Sequence, residues 1–239
     1  MTKYHGIRDQ LLERIDSMAA GEQLPSEREL AAELGVARMT LRRAIDELVV
    51  RGAVRRRHGS GVFALGPKLD QGLAASSFTR DMQARGLRPG ARTLSFDTGP
   101  AGTLAARRLD LAPDTALIRL TRLRLADDEP IALEQLHVPA ELVPGLSRGD
   151  LEDRSFYTLL AQRYSVTLAK AVQTIEPTVL DAQESRDLAV PEHTPALHFE
   201  RTSWDADGRA VEFVRSVYRG DRYKIRTELA LPGPEQEAP

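Results

Sequence analysis

The sequence predicts a two-domain α/β protein: a small helical head ending in a basic β-hairpin, then a larger α+β domain built on an antiparallel sheet. Three observations predict it. Between Arg38 and Arg57 seven arginines stand against two acids, Asp46 and Glu47, in a chain whose formal net charge is only −2. Apolar residues recur at helical spacing in the first part of the chain and in long alternating runs in the rest. A Gly- and Pro-bearing stretch, Leu65–Ala75, separates the two textures. The 239 residues are enough for two such domains.

The head opens with a helix from about Tyr4 to Met18, in which Ile7, Leu11, Leu12, Ile15 and Met18 fall on one face. Ala19-Ala20-Gly21 ends it and Leu24-Pro25 leads to the next. Ser26-Glu27-Arg28-Glu29 is a capping box, with the Ser26 hydroxyl accepting from the Glu29 amide and the Glu29 carboxylate reaching back. The short helix that follows buries Leu30, Ala31 and Leu34, and Gly35 supplies a left-handed stop. A third helix runs from Arg38 to about Arg51, where Gly52 stops it. Leu41, Ala44, Ile45 and Leu48 face inward; Arg38, Met39, Arg42 and Arg43 face out. Val54–Arg57 and Gly61–Ala64 then form a hairpin around His58-Gly59-Ser60. Helix, turn, helix and basic hairpin together make a winged helix-turn-helix over residues 1–64.

Beyond the linker, residues 65–75, strands are expected at Arg92–Thr98, Ala116–Leu125, Ile131–Val138, Leu168–Thr178, Ala196–Trp204, Ala210–Tyr218 and Tyr223–Leu229. Helices are expected at Gly102–Leu109, Phe156–Arg163 and Asp181–Leu188. Turns such as Asp127-Asp128-Glu129-Pro130 join strands directly, which favours antiparallel pairing with helices against the sheet. This second domain covers residues 76–231, with Trp204 as an anchor of its core, and residues 232–239 read as a disordered polar tail.

Composition excludes several function classes. The chain has no cysteine, so disulfides, thiolate zinc sites and cysteine nucleophiles are ruled out. No apolar run approaches the ~20 residues that span a bilayer, and the N-terminus has no signal-peptide core; the expected location is cytoplasmic, with no membrane partner. His137 and His198 lie in strands without a second ligand at metal spacing and read as structural. No nucleophile–base pair or paired carboxylates stand out, so no catalytic residue, metal site or cofactor is expected.

In a helix-turn-helix the start of the second helix faces base edges, and arginine can donate twice to guanine. Arg38 and Arg42 lie at i and i+4 on one face, Thr40 sits in the same turn, and Arg28 on the preceding helix can reach the backbone or a flanking base. The wing offers His58 and Gly59 at its tip and Arg55, Arg56 and Arg57 on its rising strand. An arginine run alone is equally a solvated helix face; the capping box, the Gly35 turn and the glycine wing weigh against that here. The stretch LPSERELAAELGVARMTLRRAIDELVVRGAVRRRHGSGVF resembles the N-terminal domain of GntR-family bacterial transcription regulators, over residues 4–64. The resemblance implies DNA contacts by Arg28, Arg38, Thr40, Arg42, His58 and Gly59, and a homodimer on a palindromic operator. Ala37 departs from it, because Ser or Thr is usual there.

In the second domain Arg122 and Arg124 are two apart and share a strand face, and the hairpin to Pro130–Glu134 returns a carboxylate towards them. Unaided, this could be a set of surface cross-strand pairs. Residues 76–231 resemble the effector domain of the HutC branch of that family (the UTRA domain, with a fold similar to chorismate lyase), and within it the amino-sugar regulators of the NagR/DasR type. The likeness rests on Ser77-Phe78-Thr79-Arg80-Asp81-Met82, Arg122-Leu123-Arg124, Glu134, Ser155-Phe156-Tyr157 and the run from Val214 to Tyr223. It implies a sugar 6-phosphate effector, its phosphate held by Phe78 and Thr79 at a helix start and by Arg122 and Arg124, its sugar by Glu134, Ser155, Tyr157, Glu212 and Tyr218. Arg219, Asp221 and Arg222 read as turn structure. The expected function is a ligand-responsive repressor controlled by N-acetylglucosamine 6-phosphate or glucosamine 6-phosphate. The alternatives are a relative sensing another small anion, an enzyme with a DNA-binding head, or an architectural DNA-binding protein.

Overall fold

The computed structural model describes residues 3–57, 59–66, 68–71 and 77–227. The head forms as its periodicity predicts. Helices α1 (Lys3–Asp16), α2 (Glu27–Glu33) and α3 (Arg38–Val50) close on one core of Leu11, Leu30, Leu41, Ala44, Ile45 and Leu48, each with at most 1% of its surface exposed. The capping box at Ser26 is present in both directions, and Gly35 takes a positive φ of 63° where the chain turns towards α3. Strands β1 (Val54–Arg57) and β2 (Gly61–Ala64) pair antiparallel, Val54 opposite Ala64 and Arg57 opposite Gly61, and they seat Val54, Val62 and Ala64 on the helical core. The expected wing-tip residue His58 lies outside the described residues.

The stretch read as a linker contains a strand. Leu69–Gln71 (β3) pairs parallel with Tyr223–Ile225 (β10) in a two-stranded ribbon apart from the main sheet. The expected strand Tyr223–Leu229 is therefore shorter in its described part, and it is not a member of the main sheet. A three-residue ladder carries too little alternation to read, and its partner lies far away in sequence. Residues 72–76 of the linker, and the expected tail 232–239, lie outside the described residues.

The main sheet holds six antiparallel strands in the order β4-β5-β6-β9-β8-β7: β4 Pro89–Pro100, β5 Ala116–Ala126, β6 Glu129–Pro139, β7 Leu168–Val179, β8 Pro195–Asp205 and β9 Ala210–Arg219. Helix α4 (Phe78–Ala84) had no signal in the spacing of apolar residues. Helices α5 (Gly102–Leu109), α6 (Phe156–Tyr164) and α7 (Ala182–Asp187) fall where expected. Two short 3-10 turns, Ala140–Leu142 and Arg148–Leu151, were not foreseen.

Register sorts the side chains onto two faces. Arg122 pairs with Glu134, Glu134 with Ser216 and Ser216 with Phe199, so these four stand in one row. That face meets α4 through Phe78 and Met82, and α6 through Phe156 and Leu160. The opposite face packs Leu117 and Phe213 on α5, and Leu123 and Leu133 on Leu180 and Leu188 flanking α7. Trp204 is half-buried at the end of β8 with the Lys170 ammonium 5.6 Å from its ring. It sits at the rim of the sheet and does not anchor its centre.

Candidate functional site

The residues expected to read DNA in the head lie on the α3 side. Arg38 and Arg42 are exposed, Thr40 is half-buried between them, and neither guanidinium group has a hydrogen-bond or ion-pair partner among the described residues. Met39 beside them is 75% exposed. Arg28 on α2 is exposed on the same turn as the capping box, and Gly59 at the wing has a positive φ of 70° with open space around it. The wing arginines divide by what holds them. Arg56 is tied to Asp46 on α3 and Glu27 on α2, 3.0 Å from the latter, so it braces wing and helices. Arg57 lies over the Phe63 ring at 4.9 Å. Arg55 is half-buried, with its Nε enclosed.

In the effector domain the register brings the second set together. Arg122 is fully buried and Arg124 is 3% exposed, and each places an Nη1 3.5 Å from the same oxygen of Glu134. Arg122 also donates from Nη2 to the carbonyls of Leu151 (3.1 Å) and Arg154 (2.6 Å), just before α6. Arg124 donates to the Thr79 hydroxyl at 3.2 Å and stacks 4.5 Å above the Phe78 ring. Both residues open α4, whose N-cap is Ser77. Burial, followed by the neighbouring Arg124, pulls the Arg122 pKa down to about 10 against the pull of Glu134. It stays cationic at neutral pH, but one carboxylate serves two guanidinium groups. The Nε and Nη1 of Arg122 and the Nε of Arg124 have no hydrogen-bond acceptor among the described residues.

These groups line a narrow pit of about 20 Å³ together with Ser155, Phe156, Tyr157 and Arg201, a space for about one water molecule. It adjoins a wider cleft of about 570 Å³ between α4, α6 and β7, with Ser77, Thr79, Ser155 and Tyr157 common to both. Ser155 caps α6 by accepting from the Thr158 amide.

Glu212 and Tyr218 stand behind this wall and are absent from the lining of either space. Glu212 is fully buried and accepts from the Tyr157 hydroxyl (2.6 Å) and the Ser203 hydroxyl (2.8 Å). Burial raises its pKa, while Arg201, at 3.6 Å, opposes the rise. Tyr218 forms an aromatic cluster with Phe199 (4.9 Å between ring centres) and Tyr223 (4.3 Å). Its pKa is raised by burial and by the charge of Glu134.

Arg201 is the residue that sequence reasoning missed. It lies in the pit wall, 5.7 Å from the Tyr157 ring centre, and pairs with Glu212. Its signal was present: on β8 it shares a face with Phe199 and Ser203, an inward parity for a charged residue. Arg219 ties Asp221 and the Pro130 carbonyl, as a turn residue does. His137 is held by the Phe213 carbonyl at 3.2 Å. Among the described residues no group of three His, Asp or Glu side chains could hold a metal ion, and no helix is long and apolar enough to cross a membrane.

Comparison with known proteins matches both halves. The family described as bacterial regulatory proteins, gntR family, matches residues 3–64, and the UTRA domain matches residues 84–224. The HTH-type transcriptional repressor NagR of Bacillus subtilis (strain 168) is 35% identical over 223 residues, covering 92% of this chain and 91% of that protein. The HTH-type transcriptional repressor PhnF of Mycolicibacterium smegmatis is 33% identical over 220 residues, covering 92% and 89%. The crystal structure of PhnF from Mycobacterium smegmatis superposes with a TM-score of 0.66 at 31% identity, covering 95% of this chain and all of that one.

Proposed function

The chain belongs to the GntR family of bacterial regulatory proteins and carries a UTRA effector domain, and from this we propose that it is a repressor governed by a phosphorylated amino sugar. The family makes it a transcription regulator of the GntR/HutC type. In this reading a homodimer holds a palindromic operator, and N-acetylglucosamine 6-phosphate or glucosamine 6-phosphate releases it.

One observation carries the effector reading: Arg122 and Arg124 lie side by side in the protein interior, share one carboxylate, and keep donors unsatisfied. A buried cation short of counter-charge is costly, and a phosphate supplies both charge and acceptors in a geometry that guanidinium groups match. In this proposal the phosphate displaces Glu134 from the arginines and bonds the Thr79 hydroxyl beside Phe78. The sugar occupies the wider cleft at Ser155 and Tyr157, and the freed Glu134 reads a sugar hydroxyl or amine. Glu212 and Tyr218 support this wall from behind.

The test is a mobility-shift titration of the full chain on its operator. Either sugar phosphate is expected to weaken binding, with a coupling of roughly 1–3 kcal/mol. Inorganic phosphate and non-sugar phosphate monoesters are the comparison arms. If none of the sugar phosphates changes operator affinity, the effector assignment fails. For the head, Arg38→Ala is expected to cost about 1–3 kcal/mol and to relax base preference, whereas loss of Arg57 weakens binding to all sequences alike. Equal, non-specific losses in both variants would reject Arg38 as a base reader.

A further inference from the structure

A second cleft, of about 560 Å³, lies between the head and the effector domain and shares no lining residue with the pit or with the cleft beside it. Ala20, Arg55 and the end of β2 form its head side. Lys68, the segment after α4 and the β5–β6 hairpin form its effector side. Its lining is rich in positive charge: Arg55, Lys68, Arg85 and Arg222 against Asp127 and Glu129. The acids are already engaged. Glu129 is 3.3 Å from Arg219 and 3.2 Å from Arg222, and Asp127 accepts from the Arg88 backbone amide at 2.8 Å. Arg55 and Arg222 each keep a buried Nε with no acceptor. The Lys68 ammonium donates to the Gly220 carbonyl. The remaining walls are apolar, chiefly Leu69, Leu87 and Ile131.

Four cationic residues against two engaged acids, in a cleft with an apolar floor, suit a ligand that brings an anionic head and an apolar body. We infer that this cleft is a second ligand site, for a small amphiphilic carboxylate that places its anionic group between Arg55 and Arg222 and its body on Leu69, Leu87 and Ile131. Because Arg55 belongs to the head and Arg222 to the effector domain, an occupant joins the two. The site is independent of the phosphosugar reading, since the pit takes no part in it.

Fluorine NMR of the full chain with para-trifluoromethylbenzoate as the probe tests this, with the neutral para-trifluoromethylbenzamide as its isosteric control. Saturable broadening of the benzoate at one site per chain is expected, with the amide weaker by roughly tenfold. Arg55→Ala and Arg222→Ala are each expected to weaken the benzoate roughly fivefold or more, and Arg124→Ala, in the pit, to leave it unchanged. Arg222 also bonds the Leu65 carbonyl, so Arg55→Ala, which removes no such bond, keeps the test sound if the Arg222 variant fails to fold. No saturable binding, equal binding of the amide, or a loss in Arg124→Ala without one in Arg55→Ala would each overturn the assignment.

Discussion

Glu134 carries the counter-charge for two arginines at once, and its side chain is 11% exposed. Replacing it by glutamine leaves Arg122 and Arg124 buried with no carboxylate between them, a change that typically costs ~3–5 kcal/mol when one partner of a buried pair is lost. Glu134→Gln is therefore expected to lower the denaturation midpoint markedly, and inorganic phosphate should restore more stability to it than it adds to the wild type. Equal stabilisation of both proteins by phosphate would remove the arginines as the anion seat. This cluster was legible because its pieces are local: two arginines two residues apart, and a glutamate returned by a tight hairpin. Arg201 was not, because its partners Glu212 and Tyr157 come from other elements and only its parity on β8 marked it. The positions of Glu212 and Tyr218 behind the wall, too, depend on which face of β9 packs under α6, which no local pattern states.

At the scale of elements, the head was readable almost to the residue, since each boundary is set by chemistry within the segment: Ser26 with Glu29, Gly35, Gly52 and the wing glycines. Ala37 is the informative exception. It occupies the N-cap of α3 in extended geometry (φ −66°, ψ 141°), and its side chain makes no capping bond. It is also exposed. Ala37→Ser is thus expected to stabilise the protein by about 1 kcal/mol, read as a higher urea midpoint; an unchanged midpoint would mean that the α3 amides are already satisfied. The β-ribbon of β3 and β10 was illegible for the opposite reason, being too short to show a period and paired across nearly the whole effector domain. On β6, burial lowers the His137 pKa even though the Phe213 carbonyl favours its protonated form. The native state therefore favours neutral imidazole. As pH falls below the unfolded value near 6.5, the unfolded chain takes up the proton first, and stability is lost at up to about 1.4 kcal/mol per pH unit until the lower native pKa is passed. His137→Gln, whose amide can still donate to the Phe213 carbonyl, is expected to lose less stability between pH 7.5 and 5.5 (roughly the window around that pKa). Parallel losses in the two proteins would place the pH dependence elsewhere.

Across the whole molecule, one continuous segment links the pit to the head. Ser216 on β9 stands opposite Glu134, the strand ends at Arg219, and the next residues touch the DNA-binding domain. Arg222 donates to the Leu65 carbonyl at 2.8 Å, and its own carbonyl accepts from the Leu69 amide at 2.8 Å. Asp221, held by Arg219, lies against the end of α3, where Gly52 has a φ of 70° and a Cβ would come within 2.1 Å of the Asp221 carbonyl oxygen. None of this contact was visible in the sequence, in which Gly52 reads only as a helix stop. Gly52→Ala would incur the left-handed penalty of about 1 kcal/mol and would also push the head off residue 221. Gly86→Ala, at a φ of 71° with nothing within 4 Å, carries the same penalty without the collision. If the docked contact transmits effector binding, Gly52→Ala should bind operator and glucosamine 6-phosphate separately while the sugar phosphate shifts operator affinity much less than in the wild type. Gly86→Ala should keep the full shift. Linkage requires the reciprocal measurement to agree, so operator DNA must also lose its effect on sugar-phosphate affinity in the Gly52 variant. An undiminished shift in Gly52→Ala would show that coupling bypasses this contact.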